Sequence, residues 1–289
     1  LASDNRHQQG RTIELMGHLL QAQGKLSEAL SRFQEAVQIA RETGNRLSEG
    51  TALGNVAEIH RELGEFDTAM KLYKQSLEIH RERGNRRSEG IVIGNMAILH
   101  RRRGEIDKAR SYYSQALDIH EEVGNTAFKG LLLSNLAFLE ISDGRLAEAK
   151  VYCTQAISIL RKTGKRNSEG QALGNLAYIH HMEGDLISSQ TFFEQAIAIC
   201  DQSAPAISSM CRSGLALVHA DQGEFDVARA LLEKSEQQTP EELPIRHGTI
   251  LCHRARVELL AGNHDSAIAS LAAAQSIADQ HSVQYESDL

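Results

Sequence analysis

Residues 52–85 read ALGNVAEIHRELGEFDTAMKLYKQSLEIHRERGN, and residues 92–125 read VIGNMAILHRRRGEIDKARSYYSQALDIHEEVGN. Superimposed on Gly64 and Gly104, the two stretches are copies of one unit. The same glycine returns as Gly24, Gly144, Gly184, Gly223 and Gly262, so the seven stand 40, 40, 40, 40, 39 and 39 residues apart. A fixed period of this length marks a repeat array in which each unit touches only its neighbours. The 289 residues are therefore read as a single array over 1–289 rather than as one or two globular domains. Its units run about 10–45, 46–85, 86–125, 126–165, 166–205, 206–244 and 245–283, with partial repeats at both ends.

We number positions within a unit so that the recurring glycine is position 15. Positions 8, 20 and 27 are then small in all seven units, as in Ala57, Ala69 and Ser76 or Ala97, Ala109 and Ala116. Positions 1–14 and 17–34 each carry apolar residues at three- and four-residue spacing, which predicts two amphipathic helices per unit and no strand. A tight turn at the glycine makes each pair antiparallel. The small residues let the two backbones approach and leave room for a large residue at position 24, such as Phe33, Tyr73 or Tyr113. An N-cap is expected at position 18, where Ser27, Asp67, Asp107, Asp226 and Asp265 stand. The Gly-Asn pairs at 44–45, 84–85 and 124–125, with Gly164, are expected to end the second helix in a left-handed cap.

This set of positions resembles the tetratricopeptide repeat over nearly the whole chain. The usual period is about 34 residues. The longer spacing here, with the phrase E-G-x-A-x-G-N-x-A at Glu49-Gly50, Glu89-Gly90 and Glu169-Gly170, is similar to the long-repeat subclass. That subclass includes Pins, kinesin light chain and arrays appended to bacterial signalling proteins. Trp is absent at position 4, and the proline of position 32 survives only as Pro240. The resemblance implies an all-α solenoid of seven helix-turn-helix repeats forming a right-handed superhelix. It also implies that the first helices line a concave face into which positions 2, 5, 6, 9, 12 and 13 point.

On that face, position 6 is Asn55, Asn95, Asn135 and Asn175 in the central units. The resemblance implies that these amides hold the main chain of an extended peptide, since an amide donates and accepts at once. The alternative is an asparagine that bonds across helices and touches no ligand. Position 5 is Gly54, Gly94, Ser134 or Gly174, which reads as a groove floor stripped of bulk. Positions 2, 9, 12 and 13 supply Ile91, Ile98, Leu131, Phe138, Ile141, Tyr178 and Met182 as apolar anchors. Contiguous apolar residues on a solvent-facing surface mark an interaction site; burial against neighbouring first helices is the competing reading. Arg61, Arg101 and Arg102 stand at positions 12 and 13, so a basic pocket for an acidic partner residue is expected near the second and third units.

The rest of the composition narrows the function classes. The net charge of −7 belongs to the C-terminal half: residues 1–130 hold 19 basic and 18 acidic residues, whereas 131–289 hold 12 and 20. Residues 61–110, with 12 basic against 8 acidic residues, fall short of the basic stripe that nucleic acid requires. No apolar run reaches the length of a membrane span. Cys153, Cys200, Cys211 and Cys252 form no C-x-x-C pair and read as reduced thiols in a cytoplasmic chain. His60, His80, His100 and His120 recur every 20 residues, with His180 and His219 at position 11. They lie a full helix or repeat apart, which favours rings packed at helix interfaces over metal ligands at i and i+4. The carboxylates read as solvated surface groups, and no P-loop, H-E-x-x-H or G-x-S-x-G motif occurs.

The expectation is thus a non-catalytic, cofactor-free and metal-free scaffold. It would bind a protein or peptide with apolar anchors and an acidic residue, and neither nucleic acid nor membrane. The rival is a regulatory segment of a larger signalling ATPase, kinase or transcription regulator, with the groove holding its own chain or a small effector. At the ends, Asp4–Gly10 aligns with Gly44–Gly50 and reads as an inter-repeat loop, and Gln284–Leu289 as the start of an eighth unit.

Overall fold

The computed structural model describes residues 2–239 and 243–281. Pro240 and Gln284–Leu289, on which two of the expectations rest, lie outside the described residues. Among the described residues there are fourteen helices and no strand. They form seven hairpins: α1 (Ala2–Ala22) with α2 (Leu26–Glu42), α3 (Arg46–Glu62) with α4 (Phe66–Glu82), and α5 (Arg86–Arg102) with α6 (Ile106–Glu122). Then follow α7 (Thr126–Ser142) with α8 (Leu146–Lys162), α9 (Arg166–Met182) with α10 (Leu186–Cys200), α11 (Pro205–Asp221) with α12 (Phe225–Gln238), and α13 (Pro244–Leu260) with α14 (His264–His281). The hairpins group into two compact units, Leu1–Asn125 holding the first three and Thr126–Leu289 the last four.

The 40-residue period has a simple origin. In the second hairpin both helices are 17 residues long, and each is followed by a three-residue connection. The first helix begins at Arg46, four residues before position 1, so one turn of helix is added at its N-terminal end. Gly64 (φ 83°) ends α3 and Gly84 (φ 64°) ends α4, both in the left-handed region that glycine enters without a Cβ clash. The small residues at positions 8, 20 and 27 are buried in all seven hairpins, which is where the packing argument puts them.

Glycine at position 1 has a different reason from glycine at the turns. A Cβ on Gly50 would lie 2.9 Å from Ile79 Cγ2, one on Gly90 2.9 Å from Ile119 Cγ2, and one on Gly130 2.8 Å from Ile159 Cγ2. The mouths of these three hairpins close on this contact, and the β-branched isoleucine cannot rotate away.

Three sequence expectations need correction. Position 18 is the second residue inside the helix, not its cap: α4 starts at Phe66 and α6 at Ile106, so Asp67 and Asp107 place charge near free N–H groups of the first turn. Side-chain caps are instead formed by Asn45, Asn85 and Asp185, which accept from Ser48 N, Ser88 N and Ser188 N. The Gly-Asn pairs at 44–45 and 84–85 therefore both end one helix and start the next. At the other end, Asp4–Gly10 is helical within α1, because Asp4 replaces the glycine that breaks the helix at Gly44. Finally, Glu49, Glu89, Glu140, Glu169 and Glu258 are buried rather than solvated.

Successive first helices pack on one another within each unit: α3 on α5, and α7 on α9, α9 on α11 and α11 on α13. Successive second helices make no comparable contact among the described residues. The first helices thus form the inner layer of each unit and the second helices the outer one.

Candidate functional site

Two sets of polar contacts hold this layer in place, and the sequence reading identified neither. The first crosses the turn within a hairpin, from position 11 to position 16. His60 and His219 place Nδ1 2.6 Å from Glu65 and Glu224, His180 lies 3.1 Å from Asp185, and His100 pairs likewise with Glu105. In the fourth hairpin the charges exchange places, with Arg145 Nε 3.4 Å from Glu140. In the seventh, Asn263 donates to Glu258 at 2.8 Å. The signal was present in the sequence as a correlated change between two positions five residues apart.

The second set latches one hairpin to the next. Glu49 accepts from Arg41 at 2.9 Å and Arg46 at 2.7 Å; Glu89 takes Arg81 and Arg86, and Glu169 takes Arg161 and Arg166, in the same way. Burial pushes the Glu49 and Glu89 carboxyls up, but the hydrogen bonds from their two arginines prevail and hold both below the usual carboxylate range. This explains the glutamate of the E-G phrase. In the fourth unit the sequence has Lys129 at that position.

On the inner layer of the first unit, Asn55 and Asn95 are half-buried, and the Asn55 amide nitrogen is enclosed without a hydrogen-bond partner. Ile91 and Ile98 on α5 are part-exposed. Arg61 does not form an open basic pocket. It is held by Glu58, which also accepts from the Tyr73 hydroxyl at 2.6 Å. Burial opposes ionisation of Glu58, yet Arg61 outweighs it and keeps the carboxyl low. Arg101 is buried, and Arg102 is part-exposed.

The second unit uses the same positions differently. Leu131, Asn135, Phe138 and Tyr178 are part-exposed and Met182 is exposed, so α7 and α9 present apolar surface at positions 2, 9 and 13. Ile141 does not join them: it is buried with Ala137, Ala149, Cys153, Leu176 and Ile179, because position 12 of α7 turns into the hairpin core. Asn175 is also buried, and its Nδ2 donates to the Ser134 carbonyl at 3.0 Å, which ties α9 to α7. Further bonds of this type link the later first helices. His181 Nε2 lies 2.6 Å from Asp221, His253 Nδ1 3.0 Å from Ser213 Oγ, and Arg246 donates to the Ala206 carbonyl at 2.8 Å. The small residues of position 5 serve these contacts: a Cβ on Gly174 would come within 2.9 Å of Cys211 Sγ.

The buried thiols are poor nucleophiles, since burial pushes Cys153 and Cys211 up to about 12 and Cys200 to about 11. Among the described residues no group of three or more His, Cys, Asp or Glu side chains converges in a metal-binding arrangement, and no helix is long and apolar enough to cross a membrane.

No curated protein matches the chain by sequence. Among solved structures, the fold is similar to a Rap protein complexed with Competence and Sporulation Factor, at 16% identity and TM-score 0.79, covering 93% of this chain and 75% of that one. It is also similar to the Rap conjugation gene regulator of plasmid pLS20 in complex with the Phr* peptide, at 16% identity and TM-score 0.79 over 93% and 73% of the two chains. BtubC (BKLC) from P. vanneervenii is 21% identical with TM-score 0.59 over 74% and 90%. At these identities the likeness bears on the fold alone. The tetratricopeptide repeat family itself matches at residues 8–82 and 129–202, with further matches at 92–123 and 209–234. The period, the buried small positions and these matches agree, and the chain belongs to the tetratricopeptide repeat family.

Proposed function

We propose that the chain is a non-catalytic scaffold that holds a peptide or a partner helix on its inner layer. The observation that carries this reading is the apolar surface of Leu131, Phe138, Tyr178 and Met182, left part-exposed or exposed between positions that are closed. In the first unit, Ile91 and Ile98 stand part-exposed at positions 2 and 9 of α5. One of the similar structures is a complex with a peptide, Phr*, by its own description, which supports the choice of ligand class. Asn95 in the first unit and Asn135 in the second would offer amides to a partner's main chain, while the Asn55 nitrogen is enclosed and Asn175 is committed to Ser134. Arg61 is engaged by Glu58 and Arg101 is buried, so the apolar anchors carry the affinity and the part-exposed Arg102 is a peripheral contact.

The test is selection from a displayed peptide library against the 289-residue chain, followed by anisotropy titration of the selected peptides. Phe138→Ala should weaken binding by at least about tenfold, as loss of a buried aromatic anchor does. Arg102→Ala should change it less, and chiefly the on-rate. Selected peptides that lack apolar anchors and bind Phe138→Ala unchanged would overturn the reading. Retention of a small effector in place of any peptide would favour the regulatory-segment alternative.

A further inference from the structure

The inner layer of the second unit carries a cation whose hydrogen-bonding capacity is unused. Position 9 is Phe138 in α7, Tyr178 in α9, Leu217 in α11 and Arg256 in α13. Leu217 is closed, whereas the Arg256 side chain is 38% exposed. Among the described residues Arg256 makes no hydrogen bond. Its Nη2 lies 3.6 Å from Asp221 Oδ2, beyond hydrogen-bond reach, and His181 Nε2 already takes that oxygen at 2.6 Å. Other arginines of this region are committed: Arg246 to the Ala206 carbonyl, Arg212 to Asp201 and Arg254 to Glu236. Burial and then the Arg256 charge push the His253 ring down to about 4, so Asp221 leaves the positive field at this point uncompensated. The spot stands in a half of the chain where acidic residues outnumber basic ones, 20 to 12 over 131–289.

We infer, on the reading that the inner layer holds a peptide, that Arg256 receives a carboxylate side chain of that peptide and so fixes the direction in which it lies. The apolar anchors then meet Phe138, Tyr178 and Met182, and the acid lies towards α13. A guanidinium with open donors grips a carboxylate through two parallel hydrogen bonds, a geometry that an ammonium does not offer. Asp221 stays bound to His181 and does not compete for the site. An extended peptide is the occupant that fits the spacing. α9 packs on α11 and α11 on α13, so the anchor at Tyr178 and the cation stand two helix spacings apart, about 16–20 Å. An extended chain crosses that span in about five or six residues.

The test is parallel selection from a displayed library of random twelve-residue peptides against the unaltered chain and against Arg256→Glu. The unaltered chain should enrich Asp or Glu about five or six residues from an apolar anchor. Arg256→Glu should enrich Lys or Arg at the same place. In anisotropy titration of a recovered peptide, Arg256→Gln should weaken binding about two- to fivefold, as loss of a part-exposed ion pair does. The same variant should not weaken the peptide whose acid is replaced by its amide, and Arg256→Lys should keep the preference for the acid. Arg256 is part-exposed, and unchanged thermal melting of the variants verifies that they fold. If both selections return the same anchored peptides with no preferred acid, the inference is overturned while the peptide-binding reading stands. A preference for acid that persists in Arg256→Glu overturns it too, and moves the contact to another cation. If neither selection enriches an anchored peptide, the inference falls together with the reading it rests on.

Discussion

Asn55 in the first unit and Asn175 in the second occupy the same position of the same repeat, yet they do different work. Asn175 is buried and donates to the Ser134 carbonyl, whereas the Asn55 amide nitrogen is enclosed with no partner. The residue one period before Asn175, less one, is Ser134; the corresponding residue before Asn55 is Glu14. The contrast extends along the inner layer. In the second unit His181–Asp221, His253–Ser213 and Arg246–Ala206 join consecutive first helices. In the first unit Gln21 donates to Glu62 at 3.0 Å to join α1 and α3. A shared backbone plan thus makes the amide at position 6 a strut in α9 and leaves its nitrogen without a partner in α3. Which happens depends on the neighbour one period away.

The largest expected effect tests what the two units share. Gly50→Ala and Gly130→Ala should each destabilise by roughly 1–3 kcal/mol through overpacking against Ile79 and Ile159. The helix propensity gained from alanine, at most about 1 kcal/mol, does not offset this. Gly54→Ala, whose nearest neighbour would be Ser76 Oγ at 3.4 Å, should be neutral or stabilising. Urea unfolding of the three variants checks the order, and equal effects at Gly50 and Gly54 would break the close-approach account.

Next comes pH. Burial pushes His80 and His120 down in the first unit, and burial with the Arg256 charge pushes His253 down to about 4 in the second. The unfolded chain binds protons below about pH 6.5 that these folded rings do not, so stability is unaffected above that value and falls as pH drops towards 4. His253 alone should account for about 2 kcal/mol at pH 5 relative to pH 7. The His253→Gln variant should show a correspondingly shallower loss in urea unfolding at the two pH values. An unchanged slope would contradict the burial of that ring.

The asparagines themselves give a smaller effect of opposite sign. Asn175→Ala should cost about 0.5–1.5 kcal/mol, since it removes a buried hydrogen bond that joins α9 to the Ser134 carbonyl of α7. Asn55→Ala should be neutral or slightly stabilising, because it removes a donor that has no partner. Equal losses at both positions would erase the contrast. Smallest of all are the turn-crossing pairs. His219→Glu should lose about 0.2–1 kcal/mol by facing Glu224 with a like charge, and the double variant His219→Glu/Glu224→Arg should recover it by adopting the order found at Glu140 and Arg145. Thermal melting of the single and double variants reads both.

The sequence by itself determined the number of hairpins, the turn glycines and the closed positions 8, 20 and 27. These follow from a period and from the size of a side chain, and both are visible in a string of letters. It also carried the correlated pair at positions 11 and 16. Tertiary structure alone decided which groove residues are engaged. Ile141 and Phe138 are both apolar and three residues apart, but one joins the core of its hairpin and the other remains part-exposed. Arg61 reads as an open charge in the sequence, but Glu58, three residues before it on the same helix, holds it. Asn55 and Asn175 are identical residues at identical positions. Their difference lies in what the adjacent first helix offers across a gap of one hydrogen bond, and a repeat pattern records the position of a side chain without recording its partner.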